Sequence, residues 1–162
     1  MNNISNSINH KIVINNLTKQ YQGTSKPSLQ NLTLHVNAGE VYGFLGPNGA
    51  GKSTAIRTLL NFIQPTSGNA SILNLDIVKD SVEIKKHVGY LSGDFAIYPK
   101  MTGANYLEYL GELQPPESKK YVQDLIKRLK AEPTKRMGDL SRGNRQKFGI
   151  IQAFMHKPDI LI

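Results

Sequence analysis

The sequence predicts an α/β fold with a half-exposed strand near its N-terminus and a helical insertion further along. Three observations predict it. Val41-Tyr42-Gly43-Phe44-Leu45 is a continuous apolar run of strand length, the pattern of a strand buried on both faces of a sheet. After the glycine-rich stretch that follows, Ala55, Ile56, Leu59, Leu60 and Ile63 recur on one helical face. Upstream, Leu32-Thr33-Leu34-His35-Val36 alternates with period two, as a half-exposed strand does.

Residues 1–9 are polar and read as a disordered tail. Lys11-Ile12-Val13-Ile14 is a short strand, and residues 15–28 read as loop, with Gly23 and Pro27 as breakers. The helix after residue 51 ends at Gln64-Pro65, because proline disfavours helix in the residue before it. Residues 70–73 and 87–91 read as further strands. Residues 105–113 and 118–130 read as helices separated by Pro115-Pro116; in the second, Val122, Leu125, Ile126 and Leu129 share a face. A third helix runs over 141–157 and stops before Pro158, and Ile160-Leu161-Ile162 begins a buried strand. The resulting division is an α/β core over 10–92, a helical subdomain over 93–138 and a final helix and strand over 139–162.

The 162 residues suit one domain with its own core, and an apolar content of 39% argues against disorder. The absence of cysteine excludes a disulfide scaffold, a thiolate metal site and a cysteine nucleophile. No apolar run approaches the roughly 20 residues that cross a bilayer, and the first seven residues lack the order of a signal peptide. A soluble, intracellular protein is expected. The formal charge of +8 admits either an anionic partner or a solvated basic face. Basic and aromatic residues are not interleaved, so nucleic acid is not the expected partner.

Gly46-Pro47-Asn48-Gly49-Ala50-Gly51-Lys52-Ser53 fits the phosphate-loop pattern G-x-x-x-x-G-K-[ST] in full, between an expected strand and an expected helix. A polyphosphate needs several N–H donors converging on one place. Successive backbone amides supply them only where the chain curls tightly, and glycine permits the curl. The helix that follows aims free N–H groups and its positive dipole end at the anion. Lys52 adds a cation, the Ser53 hydroxyl is placed to ligate Mg²⁺, and Thr54 is a further phosphate donor.

Leu140-Ser141-Arg142-Gly143-Asn144-Arg145-Gln146-Lys147 resembles the L-S-G-G-Q signature of ABC transporter ATP-binding subunits. Ser141 is also simply a good helix N-cap. Taken with the phosphate loop, the resemblance runs from about residue 12 to 162. It includes Leu17-Thr18-Lys19-Gln20-Tyr21, Phe44 to Thr54, Pro65-Thr66-Ser67-Gly68, Val88-Gly89-Tyr90-Leu91 and Tyr98-Pro99-Lys100-Met101-Thr102. The resemblance implies a P-loop core with an antiparallel β part near the N-terminus, binding ATP and Mg²⁺, with Tyr21 stacked on adenine. It implies a second ATP-binding subunit paired head to tail, so that Ser141, Arg142, Gly143 and Asn144 of one subunit meet the ATP of the other. It further implies a separate transmembrane permease subunit and a position at the cytoplasmic face of the membrane.

The sequence departs from the family's wording at three places. Gly93 stands at the position of the Q-loop glutamine; Asp94 is either a substitute or an ordinary loop aspartate. Arg142 and Asn144 replace glycine and glutamine in the signature, a variant similar to that of antibiotic- and bacitracin-type exporters. Pro158-Asp159-Ile160-Leu161-Ile162 looks like the start of the Walker B segment. The family's magnesium aspartate, catalytic glutamate and later histidine would come after it, so no catalytic residue is expected within residues 1–162. Asp159 is not expected to be that aspartate, and His156 is expected to cap a helix C-terminus.

Overall fold

The computed structural model describes residues 10–93, 95 and 97–162. The tail expected over residues 1–9 lies outside the described residues, as does Asp94. The chain divides into two compact units, one through Ile84 and one from Lys85 to Ile162.

The first unit is built on a four-stranded antiparallel sheet of β1 (His10–Lys19), β2 (Leu29–Asn37), β3 (Ser67–Ile72) and β4 (Leu75–Asp76), in the order β2-β1-β3-β4. Ile12 pairs with Val36 on one side and Ile72 on the other; Ile14 pairs with Leu34 and Ala70. Ile12, Ile14 and Leu17 are buried, which breaks strict alternation. The register shifts between Ile14 and Leu17, and Asn16 there has φ 48°. One extra residue in β1 therefore moves the inward set from even to odd positions. Gly68 crosses this bulge at φ 79°, where a Cβ would meet the Asn16 carbonyl. Only glycine fits that approach.

Residues 15–19, expected as loop, thus belong to β1. Their polar side chains pair across the exposed face: Asn15 Nδ2 donates to Asn69 Oδ1 (3.1 Å) and Thr18 Oγ1 to Asn31 Oδ1 (3.1 Å). Helix α1 (Lys52–Leu59) buries Ala55, Thr58 and Leu59. It ends earlier than expected, because Asn61 turns to φ 53° and the amides of Phe62 and Ile63 both return to the Arg57 carbonyl. Helix α2 (Ser81–His87), not marked by any pattern above, buries Ile84.

Residues 41–45 differ most from expectation, since they join neither sheet. Val41 is 100% and Leu45 90% exposed. A strand buried on both faces needs neighbours to take its N–H and C=O groups, and no described strand pairs with this run.

In the second unit, β5 (Val88–Gly89) and β6 (Ile160–Leu161) pair in parallel. The pairing is prolonged by Leu91 N to Ile162 O (3.0 Å) and Ile162 N to Gly89 O (2.9 Å). Leu161 is 47% exposed, so β6 is less buried than its apolar sequence suggests. Three helices, α3 (Gly103–Leu113), α4 (Lys119–Leu129) and α5 (Arg142–Phe154), enclose the core. Tyr106, Leu107, Leu125, Met137, Phe148 and Ile151 are at its centre. Each helix starts at a hydroxyl cap: Thr102 accepts from Asn105 N, Ser118 from Tyr121 N and Ser141 from Asn144 N. Gly103 lies against the Phe148 ring, in space that a Cβ would share with it.

Candidate functional site

The glycine-rich loop of the first unit turns over Pro47–Ala50, where Ala50 N donates to the Pro47 carbonyl (3.2 Å). Gly49 at φ 86° and Gly51 at φ 85° give it left-handed corners. Gly51 is also the N-cap of α1, and no side chain caps that helix. The N–H groups of its first turn therefore have neither an intrahelical carbonyl nor a side-chain acceptor. Ser53 is exposed, and Lys52 and Thr54 are half-buried.

Lys52 curls back over the loop, its Nζ donating to the carbonyls of Gly46 (2.6 Å) and Pro47 (2.7 Å). Both acceptors are neutral. A phosphate oxygen would make a stronger, charge-assisted bond with the same ammonium. The loop thus gathers a cation, uncapped helical amides and a hydroxyl, a donor set that fits a polyphosphate with its metal. Among the described residues, no group of three or more His, Cys, Asp or Glu could hold a metal ion. The exposed Ser53 hydroxyl is the oxygen donor that this loop presents toward a metal ion.

One determinant of this loop was not legible in the sequence. A Cβ on Gly51 would meet the Ser28 carbonyl and approach the Leu29 side chain. The last glycine before Lys52 is therefore pinned against the strand-entry segment at residues 28–29, so β2 sets where the helix begins. Tyr21 is half-buried in the turn after β1, with Lys19 Nζ 5.6 Å from its ring centroid. Its carbonyl accepts from Thr24 Oγ1 (2.7 Å). The ring already has a cation on it, which suits an electron-rich stacking face.

In the second unit, Ser141, Arg142 and Gly143 are exposed at the N-terminus of α5, and Asn144 is half-buried. Gly143 has open space where a side chain would be. Arg145, not singled out in the sequence, holds this turn. Its Nε donates to Leu140 O (2.9 Å), its Nη2 to Gly138 O (3.3 Å) and its amide to Ser141 O (2.9 Å). The planar fork of arginine makes both side-chain bonds at once. Gly93 is exposed, with open space where a Cβ would be, and Asp94 is outside the described residues.

Two residues flagged near the end of the chain have other settings. Asp159 Oδ2 lies 2.7 Å from His87 Nδ1, and its amide donates to His87 O (2.9 Å). His156 follows α5, but Met155 is the C-cap, and neither ring nitrogen of His156 has a hydrogen-bond partner. Burial pushes its imidazole below the ordinary pKa, partly opposed by the nearby Val88 backbone. It does not cap the helix. Among the described residues, no helix is long and apolar enough to cross a membrane.

The sequence and fold match known proteins. The family described as ABC transporter matches residues 29–162. The ABC transporter ATP-binding protein NatA of Bacillus subtilis is 33% identical over 159 residues, covering 93% of this chain and 65% of NatA. The bacitracin transport ATP-binding protein BcrA of Bacillus licheniformis is 35% identical over 148 residues, covering 90% of this chain and 48% of BcrA. The chain thus spans only part of these relatives. The dimeric structure of MJ0796, a bacterial ABC transporter cassette, superimposes with a TM-score of 0.79 at 24% identity, covering 93% of this chain and 72% of that one. That likeness shows the fold, an α/β cassette of ABC ATPase type.

Proposed function

The chain belongs to the ABC transporter family of ATP-binding proteins, and from that membership we propose that it couples ATP binding and hydrolysis to transport by a separate membrane subunit. The observation that carries this reading is the Gly46–Thr54 loop, where an ammonium on neutral carbonyls stands beside an uncapped helix start. On this reading Lys52 leaves the Gly46 and Pro47 carbonyls for phosphate oxygens. The amides of residues 49–53 surround the phosphates, Thr54 adds a hydroxyl, and Ser53 holds Mg²⁺. Tyr21 covers the adenine.

A second subunit completes the site. The uncapped loop receives one side of the nucleotide, and Ser141, Arg142, Gly143 and Asn144 of the other copy approach from the opposite side, in a head-to-tail pair. The exposed Gly143, with open space where a side chain would be, supports a close approach of an anion to this helix start. The helical segment over 93–138 is the part that meets the permease, at the cytoplasmic face of the membrane. The bacitracin-type relative supports export as the direction of transport.

Titration with a fluorescent ATP analogue tests the site. Lys52→Ala removes a charge-assisted hydrogen bond worth roughly 1.5–3 kcal/mol, or about ten- to hundredfold in affinity. Tyr21→Ala is expected to weaken binding less and to reduce the preference for adenine over guanine. Unchanged affinity in the Lys52 variant would remove the loop from the account.

A further inference from the structure

The basic charge of this chain is concentrated in one place. Residues 118–147 contain ten Lys and Arg against three Asp and Glu, a net +7 of the chain's +8. A charge that served solubility alone would be spread over the surface and mixed with acids. Here the stretch covers α4, the connection after it and the first turns of α5.

The fold turns the α4 part of this charge outward. Leu125 is in the core, and Val122, Ile126, Leu129 and Tyr121 pack against it. The opposite face of α4 carries Lys120, Lys127 and Arg128, all exposed, with Asp124 as the single acid among them. These positions are three or four residues apart and so lie along one side of the helix. At the C-terminal end, Lys130 is exposed, and Lys147 of α5 donates to its carbonyl (3.0 Å), which brings a further cation to the same end. Lys135 is partly neutralised by Glu132 at 2.7 Å.

We propose that the exposed basic face of α4 docks this chain on a bilayer leaflet rich in anionic phospholipid headgroups. The proposal rests on the reading above, which puts the chain at the inner face of a membrane. It adds a direct contact with lipid to the contact with a permease. Two features, the lack of a free aromatic ring and the straight row of cations, favour lipid over nucleic acid. The one aromatic residue of the stretch, Tyr121, packs against the core, so no ring is free to stack on bases. No large hydrophobic side chain within 118–147 is exposed, so the contact is electrostatic and peripheral, without insertion. Helix α4, roughly 16 Å long for its 11 residues, offers its cations in a row that a flat surface can meet together.

Near an anionic leaflet each basic side chain contributes about fivefold in partition, and the attraction decays within about 8 Å at physiological salt. The test is flotation of the 162-residue chain with phosphatidylcholine vesicles, with and without phosphatidylglycerol. Binding is expected to the anionic vesicles alone and to be lost at high salt. Lys120→Gln/Lys127→Gln/Arg128→Gln is expected to lower partition about a hundredfold while melting like the parent and binding the ATP analogue as tightly. Equal binding to neutral vesicles, an unchanged partition in the triple variant, or tighter binding to a DNA duplex than to anionic vesicles would each overturn the proposal. The vesicle assay needs no nucleotide, so its failure leaves the ATP site standing. Failure of the ATP site appears separately, in the Lys52 titration.

Discussion

Replacing Gly51 by alanine tests the idea that the start of α1 is fixed by a close approach to β2. Gly49 and Gly51 have nearly the same backbone, φ 86° and φ 85°. An L residue in that region costs about 1–2 kcal/mol, so both alanine variants bear that term. They differ in what a Cβ would meet. At Gly49 nothing lies within 4 Å, whereas at Gly51 the Cβ would overlap the Ser28 carbonyl, a backbone atom that cannot rotate away. Relieving such an overlap by backbone movement costs typically about 1–3 kcal/mol. Gly49→Ala is therefore expected to destabilise by up to about 2 kcal/mol, and Gly51→Ala by about 2–5 kcal/mol in total. Urea denaturation of the two variants beside the parent measures the difference. Titration with the ATP analogue should show the greater loss in the Gly51 variant, because displaced amides no longer converge. Equal midpoints for the two variants would refute the claim that Ser28 fixes the loop.

Two further predictions concern the second unit. Phe148, fully buried, fills the space beside Gly103; Phe148→Ala is expected to cost about 3–5 kcal/mol, read as a lowered melting temperature by circular dichroism. Burial, with the Tyr98 phenol nearby, pushes the Tyr106 hydroxyl up to about 12, and it donates to Gln152 Oε1 at 2.7 Å. A folded-state value above the unfolded value of about 10 means stability is intact below pH 10 and is lost as pH rises toward 12. Ultraviolet titration of phenolate should contain a component near pH 12 that is absent in Tyr106→Phe.

The parts of the fold that were legible in the sequence are those that local chemistry decides. The second-unit helices followed from apolar spacing, and the last also from Ser141 as a cap, to within two or three residues. The phosphate loop was legible because its requirements are local, namely tight curvature, a cation and a hydroxyl at fixed spacing. Residues 15–19 were missed because their polar side chains pair across the sheet surface, so no apolar alternation marks the strand. The bulge at Asn16 further broke the pattern. Residues 41–45 failed in the opposite sense: their composition suits a buried strand, but strand formation also needs a neighbour, which a local pattern does not contain. The close approach of Gly51 to Ser28 and the grip of Arg145 on residues 138–141 depend on tertiary contacts, and no spacing rule announces either.

On the proposed reading, ATP phosphates bind the backbone amides at the start of α1. Backbone amide NMR spectra of the ¹⁵N-labelled chain, recorded as MgATP is added, test it most directly. Saturable shifts are expected at Gly49, Gly51, Lys52 and Ser53, smaller shifts near Tyr21, and none along the basic face of α4. Shifts confined to Lys120, Lys127 and Arg128, with the loop amides unmoved, would contradict it.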